Sequence, residues 1–193
     1  MDINEIILEH IIAFIPVYLS LKGNCTLIYT KEGKSYDIDK TLNTVLNQLA
    51  RYYLVDLKAT RRYCANILSI TNLTPIPFNM DNIFAPIKVR KPLFKNDGSI
   101  GYVNIEYIDE IRKHRDITLI HLTNDITIEC LSSLQTVNRH IKNGYIVKKF
   151  WKERQSSLQI NERDFYEEYN QPATKGDIAL LRKEILKIKE VIR

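Results

Sequence analysis

The chain has 193 residues, of which 45% are apolar and 26% charged, and its formal net charge is +5 at pH 7. This length can hold one medium domain or two small ones, and the composition is that of an ordinary soluble globular protein. Its three cysteines are widely spaced and form no C-x-x-C pair. They argue against a disulfide framework or a zinc site and predict reduced thiols in the cytoplasm.

The N-terminal apolar run covers residues 6–21 and is interrupted by Glu9, His10 and Pro16. It has no basic leader and is too short to span a bilayer. We therefore expect a protein that is not exported and does not contact a membrane.

The chain contains an internal repeat, because residues 26–58 can be laid over residues 118–150 at a constant offset of 92 without a gap. A one-residue slip extends the match upstream and places Ile12 on Ile105. The identities include Thr26/Thr118, Leu27/Leu119, Ile28/Ile120, Leu42/Leu134, Thr44/Thr136, Val45/Val137, Tyr53/Tyr145 and Val55/Val147. The repeat predicts two copies of one supersecondary module. Since no catalytic constellation is duplicated with it, it favours recognition of something extended.

The first copy is predicted to be a hairpin followed by a helix and a strand. Residues 25–30 and 35–38 are β-branched and apolar and flank a turn at 31–34. Asp39 is expected to cap a helix that runs through Ala50. Its apolar residues Leu42, Val45, Leu46 and Leu49 fall on one helical face. Residues 52–57 are aromatic and β-branched and are predicted to form a strand.

The second copy is predicted to repeat this order. It has strands at 117–122 and 126–130, a Ser-capped helix, and a final strand at 145–151. The stretch that connects the copies, residues 72–101, contains Pro75, Pro77, Pro86 and Pro92 but no Gly/Ser bias, so we expect ordered, irregular β structure there.

The C-terminal segment is predicted to be an amphipathic helix over residues 177–193. Its apolar residues are spaced 3, 4, 3 and 4 apart, and they are Ile178, Leu181, Ile185, Ile188 and Ile192. This is a short heptad seam, which favours self-association or docking of a partner. A terminal helix docked on its own domain has the same spacing.

The sequence offers little for catalysis. The four histidines are isolated, no nucleophile or phosphate-binding motif occurs, and six glycines argue against a Gly-rich phosphate loop. Asp37, Asp39 and Glu129 suggest the carboxylates of a metal-dependent nuclease, but Leu131 stands where the second copy would need the equivalent of Asp39. Exposed strand residues explain these carboxylates better. We therefore predict a non-enzymatic protein without a metal or cofactor.

Basic residues are clustered, which is the electrostatic pattern of a polyanion-binding protein. A solvated basic surface would give the same pattern for any single cluster. One group lies between Arg139 and Arg154, and a second contains Lys58, Arg61 and Arg62. A third group contains Lys88, Arg90, Lys91 and Lys95. The residues that we predict to bind DNA lie at the helix-to-strand junctions of the two copies and are Arg51, Lys58, Arg61, Arg62, Arg139, Lys142, Asn143, Lys148 and Lys149.

The segment from Arg51 to Leu57, R-Y-Y-L-V-D-L, resembles the R-S-Y-I-V-N signature that ends LytTR-type DNA-binding domains. Two such units around a Pro-containing middle resemble the ComK family of competence transcription factors. In that middle, residues 74–76 and 82–86 resemble the family's P-I and F-F-P-T stretch. Residues 107–134 resemble its W-I to S-x-x-S segment. The family's glycine-containing run after the first helix is absent from residues 51–62, although Arg61 and Arg62 stand near the expected arginine.

The resemblance implies an α+β, β-rich fold of two strand–turn–strand–helix–strand modules plus a C-terminal helix. We place the modules at residues 1–72 and 103–152, the connecting β segment at 73–102 and the tail at 153–193. The resemblance also implies binding to AT-rich promoter double-stranded DNA, oligomerisation on it, activation of competence-type genes and recognition by a proteolytic adaptor protein. The alternative function is a protein-interaction module that docks a partner through its C-terminal helix.

Overall fold

The computed structural model describes residues 3–95, 97–169, 172 and 174–191, and the class is α+β with antiparallel sheets. The chain divides into two compact units, residues 1–152 and 153–193. The helices are α1 (Ile3–Leu8), α2 (Leu42–Tyr52), α3 (Leu57–Leu68), α4 (Leu134–Tyr169) and α5 (Lys175–Val191). The strands are β1 (Ile11–Leu19), β2 (Gly23–Thr30), β3 (Ser35–Ile38), β4 (Ile76–Pro77), β5 (Ile83–Lys88), β6 (Ile100–Asn104), β7 (Ile108–His114), β8 (Ile117–Leu122) and β9 (Thr127–Cys130).

The first unit contains two sheets. A six-stranded sheet has the order β3-β2-β1-β6-β5-β4, and a three-stranded sheet has the order β7-β8-β9. The connecting segment thus contains β structure, as predicted, and it supplies β4, β5 and the start of β6 to the larger sheet. In the first copy β1 pairs with β6 on one side and β2 on the other. Within the described residues no strand pairs with the outer edge of β7, the counterpart of β1 in the second copy.

The six-stranded sheet is buried on both faces. One face packs with α1 and α2 around Phe14, Ile28 and Leu46. The other face packs with the three-stranded sheet and α4, where Ile12 and Val103 share a core with the second copy. The second copy therefore forms a layer on the sheet that the first copy begins, which supplies the apolar partner that a three-stranded sheet needs.

The repeat is visible in equivalent buried hydrogen bonds. The Thr26 hydroxyl donates to the Lys40 carbonyl at 2.8 Å, and the Thr118 hydroxyl donates to the Ser132 carbonyl at 2.8 Å. Both threonines are buried, and each of these bonds fixes the path from a hairpin into a helix. Donor and acceptor are each shifted by the same 92 positions as the sequence match.

The caps of α2 and α4 are also equivalent. The Thr41 hydroxyl accepts a hydrogen bond from the Thr44 amide at 3.4 Å, and the Ser133 hydroxyl accepts one from the Thr136 amide at 3.3 Å. The Ser cap of the second copy is confirmed, whereas the prediction that Asp39 caps the first helix is wrong. Asp39 instead forms an ion pair with Lys22 at 2.9 Å.

The hairpins that open the two copies share a bulge but differ in length. Ile11 faces Thr30 and Ile108 faces Leu122, and a register shift follows each pair, before Ala13 and Glu110. The structural offset in the first strand is therefore 97, and the upstream slip read from the sequence, which placed Ile12 on Ile105, is wrong. The extra five residues of the first copy lie around its β1–β2 turn.

The strand predicted at residues 52–57 is wrong. Helix α2 ends at Tyr52 and α3 begins at Leu57. Asp56 caps α3, because its carboxylate accepts hydrogen bonds from the amides of Lys58 at 2.8 Å and Ala59 at 3.1 Å. A carboxylate in this position satisfies amides that helix formation leaves without partners, and this stabilises a helix where alternation alone predicted a strand.

The strand predicted at residues 145–151 is also wrong, since α4 continues through it. Gly144 lets the helix approach Ile105 closely: a Cβ at Gly144 would lie 2.8 Å from an Ile105 side-chain carbon. Tyr145 donates from its hydroxyl to the Ile105 carbonyl at 3.0 Å, and Val147 is fully buried. Tertiary packing of one helical face therefore overrides the β propensity of this segment.

In the second unit, α5 confirms the predicted C-terminal helix up to residue 191. Ile178, Leu181 and Ile185 are 62%, 64% and 50% exposed. Ile188 lies within the helix, and Ile192 lies outside the described residues. Among the described helices, none is long and apolar enough to cross a membrane.

Candidate nucleic-acid interface

A four-residue turn joins α2 to α3 and brings basic side chains of both helices together. The Val55 amide donates to the Ala50 carbonyl at 2.8 Å, and the Leu54 amide donates to the Arg51 carbonyl at 3.2 Å. Leu54 has a positive φ of 55° and is 93% exposed. Glycine and asparagine are favoured at such a position. The flanking helices therefore stabilise this turn, and the residue type at position 54 does not.

An open groove of about 890 Å³ lies along this turn. Its lining residues are Asn47, Ala50, Arg51, Leu54, Val55, Asp56, Leu57, Lys58 and Arg61. The structure thus places three of the four predicted DNA-binding residues of the first copy, Arg51, Lys58 and Arg61, on one surface. We call this surface the α2–α3 groove. Three of its lining residues are basic. Its one acidic lining residue, Asp56, is engaged as the cap of α3.

The remaining arginine of the first copy lies on the adjoining surface. Arg61 and Arg62 line a second depression together with Ile100 and Tyr102. Burial raises the pKa of Tyr102, and the neighbouring guanidinium of Arg61 opposes that rise. Arg61 therefore reaches Tyr102 of the sheet, and both Arg61 and Arg62 are exposed on α3.

Because residues 57–68 are a helix, their exposed residues follow a helical period. Lys58, Arg62 and Asn66 are four positions apart and are all exposed, so they lie along one side of α3. Asn66 was not among the predicted residues. The signal that identifies it is the i, i+4, i+8 spacing, which has meaning only once the segment is assigned as a helix.

The predicted residues of the second copy all lie on α4 rather than at a helix-to-strand junction. Arg139, Lys142 and Lys149 are exposed and Asn143 is half-buried. Lys148 is half-buried and forms an ion pair with Glu106 at 3.0 Å, so part of its charge is compensated.

The basic helices of the two copies meet at one point. The rings of Tyr63 on α3 and Trp151 on α4 pack edge to face with centroids 6.1 Å apart. Arg62 directly precedes Tyr63, and Lys149 lies two residues before Trp151. Each of these basic residues is therefore within one helical turn of the contact between the two helices.

Another basic feature was not predicted and lies at the tip of the β7–β8 hairpin. Lys113, His114 and Arg115 are consecutive and exposed, and Arg115 has a positive φ of 52°. The run Arg112-Lys113-His114-Arg115 is visible in the sequence. It can be recognised as the tip of a hairpin only once the two-residue turn between His114 and Ile117 is known. Arg112 is paired with Glu110.

Among the described residues, the carboxylates that suggested a metal-dependent nuclease do not come together as a metal-binding group. Asp37 and Glu129 are exposed on strands, and Asp39 is engaged by Lys22. Across the described part of the chain, no group of three or more His, Cys, Asp or Glu side chains could hold a metal ion. The three cysteines are free and buried, and burial raises the pKa of the Cys64 thiol to about 11.

His140 is buried in the core of the second copy. Its Nδ1 lies 2.8 Å from the Pro86 carbonyl, and since a carbonyl only accepts, Nδ1 carries the proton. Burial lowers the pKa of His140, against the opposing effect of this hydrogen bond. The residue is therefore a neutral packing histidine.

Comparisons with protein-family models, curated proteins and solved structures find no match to this chain.

Proposed function

We propose that this protein is a sequence-specific DNA-binding transcription regulator that contacts double-stranded DNA through the α2–α3 groove and the exposed side of α3. The observation that carries the proposal is the convergence of Arg51, Lys58 and Arg61 on one groove, with Arg62 beside them. Clustered cations on a capped helix are suited to phosphate oxygens, and arginine and asparagine side chains are suited to base edges. Lys58, Arg62 and Asn66 thus combine both kinds of contact on one element.

The resemblance to the ComK family supports the same class of ligand. On that basis we propose that the duplex is an AT-rich promoter site, that binding activates competence-type genes, and that the protein oligomerises on DNA. In place of the strands predicted after the two helices, residues 53–56 form a turn into α3 and residues 145–151 belong to α4. The proposed contact is therefore made by helices α3 and α4 of the two copies. Arg139, Lys142, Asn143 and Lys149 of α4 are the proposed contacts of the second copy.

The test is fluorescence anisotropy with a random-sequence pool and with AT-rich duplexes over a series of salt concentrations. Each phosphate contact contributes about 0.9 to the slope of log K against log salt, so Arg61→Ala/Arg62→Ala should lower the slope by up to about 1.8. A matched control is Arg182→Ala/Lys183→Ala, which removes an exposed basic pair from α5. The control should leave the slope unchanged.

Asn66→Ala tests the sequence-specific part of the proposal. It removes no charge, so it should leave binding to the random pool unchanged while lowering the preference for the best duplex. Loss of one paired base contact corresponds to about 1–3 kcal/mol of discrimination. Absence of binding at low salt, or equal slopes for the two double variants, would contradict the assignment.

A second function rests on the exposed apolar side of α5. Ile178, Leu181 and Ile185 are at least half exposed on a helix of 17 residues. We propose as the alternative that this helix associates with itself or docks a partner such as a proteolytic adaptor protein. Deletion of residues 174–193 separates the cases: loss of oligomers with retained DNA binding indicates a self-association helix, and unchanged oligomers direct attention to a partner.

A further inference from the structure

The segment between β5 and β6 is a loop fixed in place by a cluster of side chains from the first hairpin. Arg90 stacks on the Tyr18 ring, with its guanidinium carbon 3.9 Å from the ring centre. Its Nε donates to the Gly98 carbonyl at 2.8 Å, and an Nη donates to the Asn24 side-chain oxygen at 2.6 Å. The Tyr18 hydroxyl in turn donates to Asp97 at 2.6 Å. Arg90 of the third basic group therefore acts in the structure as an anchor.

The same cluster holds the backbone of the loop tip. The Leu93 amide donates to the Tyr18 hydroxyl at 2.8 Å, and the Phe94 amide donates to the Asp97 carboxylate at 3.1 Å. Two consecutive backbone amides are thus tied to side chains at the base of the loop. A loop held in this way presents its side chains in a defined direction, which lowers the entropic cost of binding.

The side chains presented by this tip are apolar. Leu93 is 69% exposed and Phe94 is 73% exposed, and Pro92 precedes them. Lys91 and Lys95 flank them and are exposed as well. Two adjacent large apolar side chains lie in solvent on residues whose amides are hydrogen-bonded, which indicates an interaction site, and the flanking lysines indicate that its partner is anionic.

A second basic element is connected to the base of this loop, at Lys88. The Leu131 amide donates to the carbonyl of Lys88, the residue from which the loop departs. From Leu131 the chain enters α4, and the first residues of α4 line a depression with Lys113 and Arg115 of the hairpin tip. A continuous path of contacts therefore joins the apolar loop tip to the basic tip of the β7–β8 hairpin.

We propose that Leu93 and Phe94 form an apolar wedge that inserts between base pairs of a bound duplex, while Lys91, Lys95 and the hairpin tip hold the adjoining phosphates. Apolar side chains flanked by basic residues are the means by which several protein classes unstack a base step and kink DNA. The inference rests on the proposed DNA-binding function and adds to it a deformation of the ligand. The α2–α3 groove supplies binding without the wedge, so the two can be separated.

The test uses the duplex with the highest affinity in the anisotropy measurement, labelled at its ends for energy transfer, together with 2-aminopurine placed at successive positions. The full-length protein should raise energy transfer between the ends and raise 2-aminopurine fluorescence at one step. Leu93→Ala/Phe94→Ala should still bind, with loss of both signals. Leu8→Ala, which removes another exposed leucine, should keep both.

Two further variants refine the test. Lys91→Gln/Lys95→Gln should lower the salt slope by up to about 1.8 without abolishing the kink in the bound duplex. Tyr18→Phe removes the hydroxyl that holds Leu93 and Asp97, so it should weaken the kink although Tyr18 itself is not part of the wedge. Unfolding by urea checks that each variant keeps its fold.

The outcomes are distinct. Binding by the wild-type protein without a kink, or an equal kink in the double alanine variant, overturns the wedge and leaves the DNA-binding function standing. No binding of any duplex at low salt overturns both. Retention of wild-type protein on vesicles of anionic phospholipid, lost in the Leu93→Ala/Phe94→Ala variant in the absence of any DNA kink, would assign the loop to a lipid surface and overturn the wedge.

Discussion

The paired buried threonines give the sharpest test of the repeat. Thr26→Val and Thr118→Val each keep the shape of the side chain and remove a hydroxyl that donates to a backbone carbonyl at 2.8 Å. The threonines are 0% and 1% exposed, so water cannot replace either bond without local opening. We expect both variants to lower the free energy of unfolding, and by similar amounts.

The size of the effect follows from the environment of the two bonds. A typical intramolecular hydrogen bond contributes about 0.5–1.5 kcal/mol net, and a buried acceptor that is left without its donor costs about 1–3 kcal/mol. Each variant should therefore lose about 1–3 kcal/mol. The two sites lie on strands of different sheets, Thr26 on β2 and Thr118 on β8, so the double variant should lose about the sum, roughly 2–6 kcal/mol.

The measurement is equilibrium unfolding in urea, followed by both tryptophan fluorescence and far-ultraviolet circular dichroism. Thr123→Val is the matched control, since Thr123 is exposed in the β8–β9 turn, and it should change stability by less than about 0.5 kcal/mol. Trp151 is the single tryptophan and reports on α4.

Two results would refute the reasoning. A Thr118→Val protein as stable as the wild type would mean that the second bond is not equivalent to the first. A double variant whose two probes give separate transitions would mean that the copies unfold independently, which the core that Ile12 shares with Ile120 does not allow.

The remaining predictions concern three buried sites. Gly144→Ala should lower the free energy of unfolding, measured in urea, by about 1–2 kcal/mol. The added Cβ would lie 2.8 Å from an Ile105 side-chain carbon, and this clash outweighs the higher helix propensity of alanine. The pKa of His140 is lowered in the folded state, so the unfolded chain binds more protons below pH about 6.5. Stability should be full above that pH and fall as the pH is lowered, and His140→Gln should reduce the fall. Cys64, with its pKa of about 11, should react with iodoacetamide at pH 8 more than about 100-fold slower than a free thiol of pKa about 8.5.

Each of these predictions has a contradicting result. A Gly144→Ala protein of raised stability would show that Ile105 moves aside without cost. Equal urea midpoints at pH 7.5 and 5.5 in the wild type would exclude titration of a buried histidine as a source of instability. Rapid labelling of Cys64 under native conditions would show that α3 opens readily.

The two hairpins and the apolar face of α2 could be predicted because local signals there agree with tertiary packing. Strands β2–β3 and β8–β9 combine β-branched residues with turn residues, and α2 buries Leu42, Val45, Leu46 and Leu49 as its apolar spacing predicted. The segments after the helices could not be predicted in the same way. In residues 145–151, β propensity and helical spacing coexist, and the close packing of Gly144 on Ile105 decides between them.

Prediction of the candidate site also required the correct assignment, strand or helix, of the segment after α2. Arg51, Lys58 and Arg61 were identified from their charge, but their convergence depends on the α2–α3 turn, which strand assignment concealed. Asn66 was missed for this reason. The exposed Leu93 and Phe94 were missed because exposure of an apolar side chain follows from tertiary contacts, here those of Tyr18 and Asp97, and not from its own neighbours in sequence.

Within the described residues no strand covers the outer edge of β7, and this has a consequence for how the protein behaves at high concentration. The equivalent edge of β1 is occupied by β6, but β7 carries Asp109, Glu110, Arg112 and Lys113 in a row broken only by Ile111. A strand edge with unpaired amides and carbonyls can recruit a strand from another molecule, and charged side chains on the edge strand oppose this because pairing would take them out of water. The charged side chains of β7 therefore protect its edge as β6 protects the edge of β1. They oppose the addition of strands from other molecules to the sheet of the second copy.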